Sequence, residues 1–287
     1  MSAATWPNGA RGALSLSFDN LGEAAEIELG AVDPDAPREP HRTVEQGLPA
    51  ILDALDGHSL AATFFVEGLN AELYPDALRE ISTRGHEVAY HAWRHEQWGD
   101  LSAADQAENL ARGAAALGAL DLDLAGLRPP GGGLGPGGVE ALREAGLRYC
   151  SPAGQGAGHQ DGVALLPFQW RHVDATCVLP ALASVRERMT GSPDPLDPAA
   201  FVAFLDRELA TLAAEGGYMT TVLHPFMLDW LGEERLGELL DRIVDASRRQ
   251  DLWVAPCADV AEHVLAEPEQ FADGVRLDTT SWTDPGR

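Results

Sequence analysis

The apolar positions of this chain fall into two rhythms that take turns. Short continuous apolar runs occur at 13–19, 60–68, 86–91, 124–132, 147–152, 162–168, 218–224 and 251–257, bounded by Gly, Pro or polar residues. Runs of that kind read as strands buried on both faces. Between them the spacing changes to three and four. Val44, Leu48, Ile51, Leu52 and Leu55 predict a helix over 43–58, and similar spacing predicts helices over 71–85, 102–120, 137–146, 198–217 and 231–249. Gly85 is placed to close the second of these. Residues 20–42, with Pro34, Pro37 and Pro40, read as irregular, and 169–197 as an insertion rich in Pro and Arg.

Strand and helix alternating about seven times imply an α/β fold with a parallel sheet, either closed as a barrel or open and doubly wound. No long linker divides the chain. The expectation is a single domain over 1–265 with an irregular tail over 266–287.

Charge narrows the chemistry. The formal net charge is −25, and all 20 basic residues are Arg, with no Lys. That removes lysine Schiff bases and the GK[ST] phosphate loop, and it disfavours nucleic acid. No apolar run reaches the roughly 18 residues of a membrane span, and no leader pattern opens the chain. The expectation is a cytoplasmic protein without nucleic-acid or membrane partners, and a homo-oligomer is plausible for its size. Cys150, Cys177 and Cys257 are too widely spaced for a knuckle and read as buried thiols. The glycine stretch 131–138 lacks a dinucleotide fingerprint and reads as a turn at the mouth of a site.

In parallel α/β folds the chemistry gathers at the C-terminal ends of the strands. The first strand ends in Asp19-Asn20, the third in His91 within "HAWRH", the fourth in Arg128 within "RPPGG", and the seventh in His224 within "LHPF". Trp170 and Asp174 follow the sixth. A carboxylate, an arginine and three histidines on one rim point to a reaction centre. On a helical turn, His91 and His95 would share a face, a spacing that suits two imidazoles on one metal ion. The zincin glutamate is absent, since Ala92 follows His91.

"SFDN", "GHEVAYHAWRHEQW", "LRPPGG" and "TVLHPF" occur in this order, with helices between them. Over roughly residues 11–262 the chain resembles the polysaccharide deacetylase-like (NodB-homology, carbohydrate esterase family 4) superfamily. "AYHAWRH" followed by Glu, and "LPFQW", look nearer its cytoplasmic small-molecule, allantoinase-like branch. The resemblance implies a distorted (β/α) barrel of about seven strands and hydrolysis of a non-peptide C–N amide bond in a small substrate. Carried over, Asp19 is the base, Arg128 orients it, His224 is the acid, Asp174 tunes His224, and His91 and His95 hold a divalent metal, zinc by preference. The family's second motif aspartate, a metal ligand, is here Asn20. Three outcomes stay open. Asn20 is a weak third ligand, or Asp19 turns to the metal with Glu23 or Glu26, or the chain works without metal. A barrel that kept the fold and became a binding protein is the rival reading.

Overall fold

The structure, a computed structural model, describes residues 5–35, 39–249, 251–272 and 274–278. Its strands are β1 (Gly12–Asp19), β2 (Thr63–Val66), β3 (Glu87–Tyr90), β4 (Gly126–Leu127), β5 (Tyr149–Cys150), β6 (Gly154–Gly156), β7 (Gly158–Gln160), β8 (Val163–Leu165), β9 (Gly217–Leu223), β10 (Leu252–Val254) and β11 (Val275–Leu277). The helices are α1 (Ala24–Glu28), α2 (Leu48–His58), α3 (Asn70–Leu73), α4 (Pro75–Thr83), α5 (Ala103–Gly118), α6 (Gly138–Glu144), α7 (Ala183–Thr190), α8 (Pro198–Glu215), α9 (Leu228–Leu231), α10 (Glu233–Arg248), α11 (Cys257–Ala266) and α12 (Pro268–Phe271).

One sheet runs β10-β1-β2-β3-β4-β5-β8-β7, with β9 also on β1. All its pairings are parallel except β7 with β8. It curls into a half-barrel and forms one domain, as the alternation predicts. β1 is the hub. Gly12–Phe18 pair with β9, while β10 takes the first residues of the strand and β2 its last, Asp19 included. Every residue of β1 is buried. Leu14, Leu16 and Phe18 face the large core shared with α2, α8 and α10, while Ala13 belongs to a second cluster with Phe65, Tyr149, Tyr218 and α11. The alternation puts Ser15, Ser17 and Asp19 on the same side as Ala13. Small and polar residues on that face leave room inside the curl for the side chains of the site.

Several expected boundaries shift for local reasons. The helix over 71–85 is two, broken at Tyr74 because Pro75 disfavours helical backbone before it. Residues 20–42 contain α1. The 169–197 segment carries three short turns and α7, and Val173 bridges Val222 of β9. It is therefore part of the half-barrel wall. The tail expected to be irregular holds α12 and β11, the latter pairing antiparallel with β6. Strands of three residues carry too little pattern to be read from sequence. Residues 279–287 lie outside the described residues. No helix among the described residues is long and apolar enough to cross a membrane.

Candidate active site

Asp19 ends β1, and Arg128 follows β4. The Arg128 guanidinium is 1% exposed and donates to Asp19 Oδ1 at 2.6 Å and to Ser17 Oγ at 2.7 Å. Its other nitrogens donate to Ser151 Oγ at 3.2 and 3.0 Å, and its carbon lies 4.0 Å from the Phe65 ring centroid. Three partners and an aromatic floor leave this arginine one orientation. It balances the Asp19 charge and aims one carboxylate oxygen.

His224 follows β9 directly, in a second charged pair. Its Nδ1 lies 2.5 Å from Asp174 Oδ1, and its backbone N–H donates to Asp174 Oδ2 at 2.8 Å. Burial alone would pull the imidazole pKa down, but the Asp174 and Asp19 carboxylates outweigh it and hold the value above the usual histidine range. Nδ1 is committed to Asp174, so Nε2 is the nitrogen left to act. Asp174, placed with difficulty from sequence, reaches His224 because the 169–177 segment bridges β9.

His91 and His95 come together with ring centroids 4.8 Å apart, but not on a helix. The segment after β3 is a turn in which Ala92 (φ 63°) and His95 (φ 73°) adopt left-handed backbone. Expecting a helical turn was wrong because local propensity does not reveal two left-handed residues that tertiary packing enforces. His91 Nδ1–H donates to Arg128 O at 2.7 Å, which leaves the Nε2 lone pair free. Metal-bound imidazoles are commonly held this way. Burial pushes both histidines down to about 3 and so favours their neutral forms, against the backbone hydrogen bonds and, for His95, the Asp19 charge.

Asn20 follows Asp19 with φ 62°, a conformation asparagine tolerates better than most residues. Two neutral imidazoles and a carboxamide suit a weakly held borderline cation. Among the described residues no three His, Cys, Asp or Glu side chains assemble as a ligand cluster. Glu23 accepts from the Tyr74 hydroxyl at 2.6 Å, and Glu26 lies 3.5 Å from His41 Nε2. Both carboxylates thus have partners away from the imidazoles. In the glycine turn, the Gly132 N–H donates to Pro129 O, so that amide is not free to hold an oxyanion.

The aromatic residues divide. Trp93 and Trp98 are core. Phe226 stands 4.8 Å from the His224 ring and is 42% exposed on a cavity of about 580 Å³ shared with His41, Gln46, Asp229 and Glu233. Phe168 and Trp170 line a second cavity of about 330 Å³.

Reading the strand ends from sequence stepped over β2, and there the structure holds a further carboxyl. Glu67 follows Val66 directly, is 0% exposed, and interacts with Asp19 and His224. Burial, with the Asp19 charge adding, pushes it up to about 8 against the opposing backbone hydrogen bonds, so it is neutral at pH 7. The signal was present, because an acidic residue closing the apolar run "ATFFV" is as unusual as Asp19 closing its own.

The curled parallel sheet carries Asp19, Arg128, His91, His95 and His224 along its C-terminal rim. Residues 32–150 match the family model Polysaccharide deacetylase, a span that includes His91, His95 and Arg128 but neither Asp19 nor His224. A peptidoglycan-N-acetylglucosamine deacetylase of Bacillus cereus is 43% identical over 47 residues, 16% of this chain and 17% of that protein. The aligned part is thus a small fraction of that relative's length. Two solved structures follow the fold. One is a putative polysaccharide deacetylase from Mycobacterium smegmatis (26% identity, TM-score 0.75, covering 100% of this chain and 99% of that one). The other is the Puue allantoinase (20%, 0.71, 92% and 93%). Residues 32–150 are thus similar to polysaccharide deacetylases, and the fold as a whole is shared with the two solved structures.

Proposed function

We propose that this chain hydrolyses a non-peptide C–N amide bond in a small cytoplasmic substrate. The observation that carries the reading is a pair of oppositely prepared groups on one rim, the Asp19 carboxylate tied to Arg128 and the His224 imidazole tied to Asp174. Asp19 accepts the proton of the attacking water, and Arg128 keeps its free oxygen aimed at that water. His224 carries a proton at Nε2 and delivers it to the departing nitrogen, which is too basic to leave unprotonated. Asp174 holds the imidazole in the needed orientation and stabilises its cation, as in other acid–base pairs. His91 and His95, with the Asn20 amide, would hold a divalent ion, zinc by preference, that polarises the substrate carbonyl and acidifies water when bound. The deacetylase matches and the allantoinase neighbour support amide chemistry as a class.

Turnover of a panel of N-acetylated amino sugars, ureides and cyclic imides tests the proposal. Asp19→Asn and His224→Ala should each lower kcat/KM by roughly 10²–10⁴-fold on the substrate that is turned over. Variants at wild-type rate would refute the assignment. Asn20 favours a second reading, metal-independent hydrolysis of a ureide or cyclic amide, in which Asn20 binds substrate or water. Full activity after chelation, with metal absent by elemental analysis, would select it.

A further inference from the structure

Glu67 has no part in the chemistry above, yet its setting is specific. Oε2 accepts the Leu21 N–H at 3.2 Å and the Asn70 Nδ2 at 3.0 Å. Asn70 Nδ2 also donates to Leu21 O at 2.7 Å. Both polar groups of Leu21 are therefore taken by two fully buried side chains from the end of β2 and the start of α3. The flanking amides are pinned as well, Asn20 N–H to Phe65 O at 3.2 Å and Gly22 N–H to Thr43 Oγ1 at 2.9 Å. The turn is conformationally demanding, because Asn20 and Gly22 are both left-handed (φ 62° and 65°). Asp19 and Asn20 stand on the near side of this turn.

Glu67 is also poorly satisfied. Its Oε1 is buried with no hydrogen-bond partner among the described residues, and Asn70 Oδ1 is in the same condition. A side chain selected only for stability would seldom leave such an atom, because unpaired buried polar groups are destabilising.

We infer that Glu67 is a positioning residue which, with Asn70, clamps the Leu21 peptide and thereby fixes the aim of the Asp19–Asn20 pair. The clamp rests on the reading of those two residues as site groups. It acts through the backbone and touches neither substrate nor metal. Supporting groups of this kind are typically worth 10–100-fold in affinity or rate at the sites they orient.

The test uses the full chain with Zn²⁺ alone as probe, measured by chelator competition, together with amide hydrogen exchange over residues 13–23. Glu67→Gln keeps an oxygen acceptor and should keep both Leu21 protection and Zn²⁺ affinity within about twofold. Glu67→Leu removes the acceptor. It should lose protection at Leu21 while Leu14–Phe18 stay protected, and Zn²⁺ affinity should fall about tenfold or more. If Glu67→Leu does not fold, Asn70→Ala releases the other half of the clamp and should show the same pair of losses. Glu67→Leu with native Leu21 protection, or with lost protection and unchanged Zn²⁺ affinity, overturns the inference. A His91→Ala control separates the readings. If it binds Zn²⁺ like the wild type, the metal assignment has failed, and Leu21 exchange alone decides the clamp.

Discussion

Two carboxyl groups, one fully buried and one half-buried, sit at opposite ends of neighbouring strands. Glu87 opens β3 beside Thr63, and Glu67 lies just past the far end of β2. Burial raises the pKa of both. Their partners differ. Glu87 accepts from the Tyr149 hydroxyl at 2.7 Å, from Thr63 Oγ1 at 2.8 Å and from the Ala258 N–H at 2.9 Å, so both its oxygens are used. The last of these ties the first turn of α11 to the bottom of the sheet. Glu67 leaves one oxygen idle. A saturated polar network at the N-terminal end of the strands belongs to stability, whereas an unsaturated one at the C-terminal end belongs to the site.

The largest way to break this comparison is pH. Glu67 is raised from 4.5 to about 8, so the folded state keeps a proton that the unfolded chain gives up. Its stabilising contribution is whole below pH 4.5 and is lost as pH climbs through about 8. Glutamine does not titrate. The stability of Glu67→Gln relative to wild type should therefore rise by several kcal/mol, to order of magnitude, between pH 5 and pH 9 in urea unfolding. A difference that stays flat across that window would mean that Glu67 is not held neutral.

The second way is to empty the saturated network. Glu87→Ala strands the Tyr149 hydroxyl, Thr63 and the Ala258 amide, a loss of about 3 kcal/mol. The melting temperature should drop by several degrees, while Zn²⁺ affinity and turnover per folded molecule stay at wild-type values. A large loss of turnover in the folded variant would show that the lower end of the sheet is coupled to the rim.

These two ends were not equally legible in the sequence. Asp19, Arg128 and His224 each close an apolar run, and the structure places them at strand ends as read. Glu67 also closes a run but lies in none of the blocks that carry the resemblance, so nothing drew attention to it. Asp174 sits in a segment with no period, and only the Val173–Val222 bridge brings it to His224. The lower network was invisible for another reason. Glu87, Tyr149, Thr63 and Ala258 lie far apart along the chain, and each alone reads as an ordinary strand or helix residue. α11, β6, β7 and β11 are short or weakly patterned, so their packing depends on tertiary contacts.

The smallest effect sharpens the comparison at the rim itself. In the proposed metal site Asn20 offers a dipole where a carboxylate would offer a charge. Hard and borderline cations gain from anionic oxygen, and ligand charge count is a main lever on affinity. Asn20→Asp should therefore tighten Zn²⁺ binding by roughly tenfold, equivalent to ~1.4 kcal/mol. The same change should destabilise the metal-free protein, because the new carboxylate stands next to Asp19, whose ion-pair partner Arg128 is already engaged by Asp19, Ser17 and Ser151. Metal would then stabilise Asn20→Asp more than wild type in thermal unfolding, and His91→Ala placed on top should remove the gain. Tighter binding that survives His91→Ala would put the ion elsewhere. Unchanged affinity in Asn20→Asp would mean that this side chain does not reach the ion, and the metal-independent reading would then be the better account of the rim.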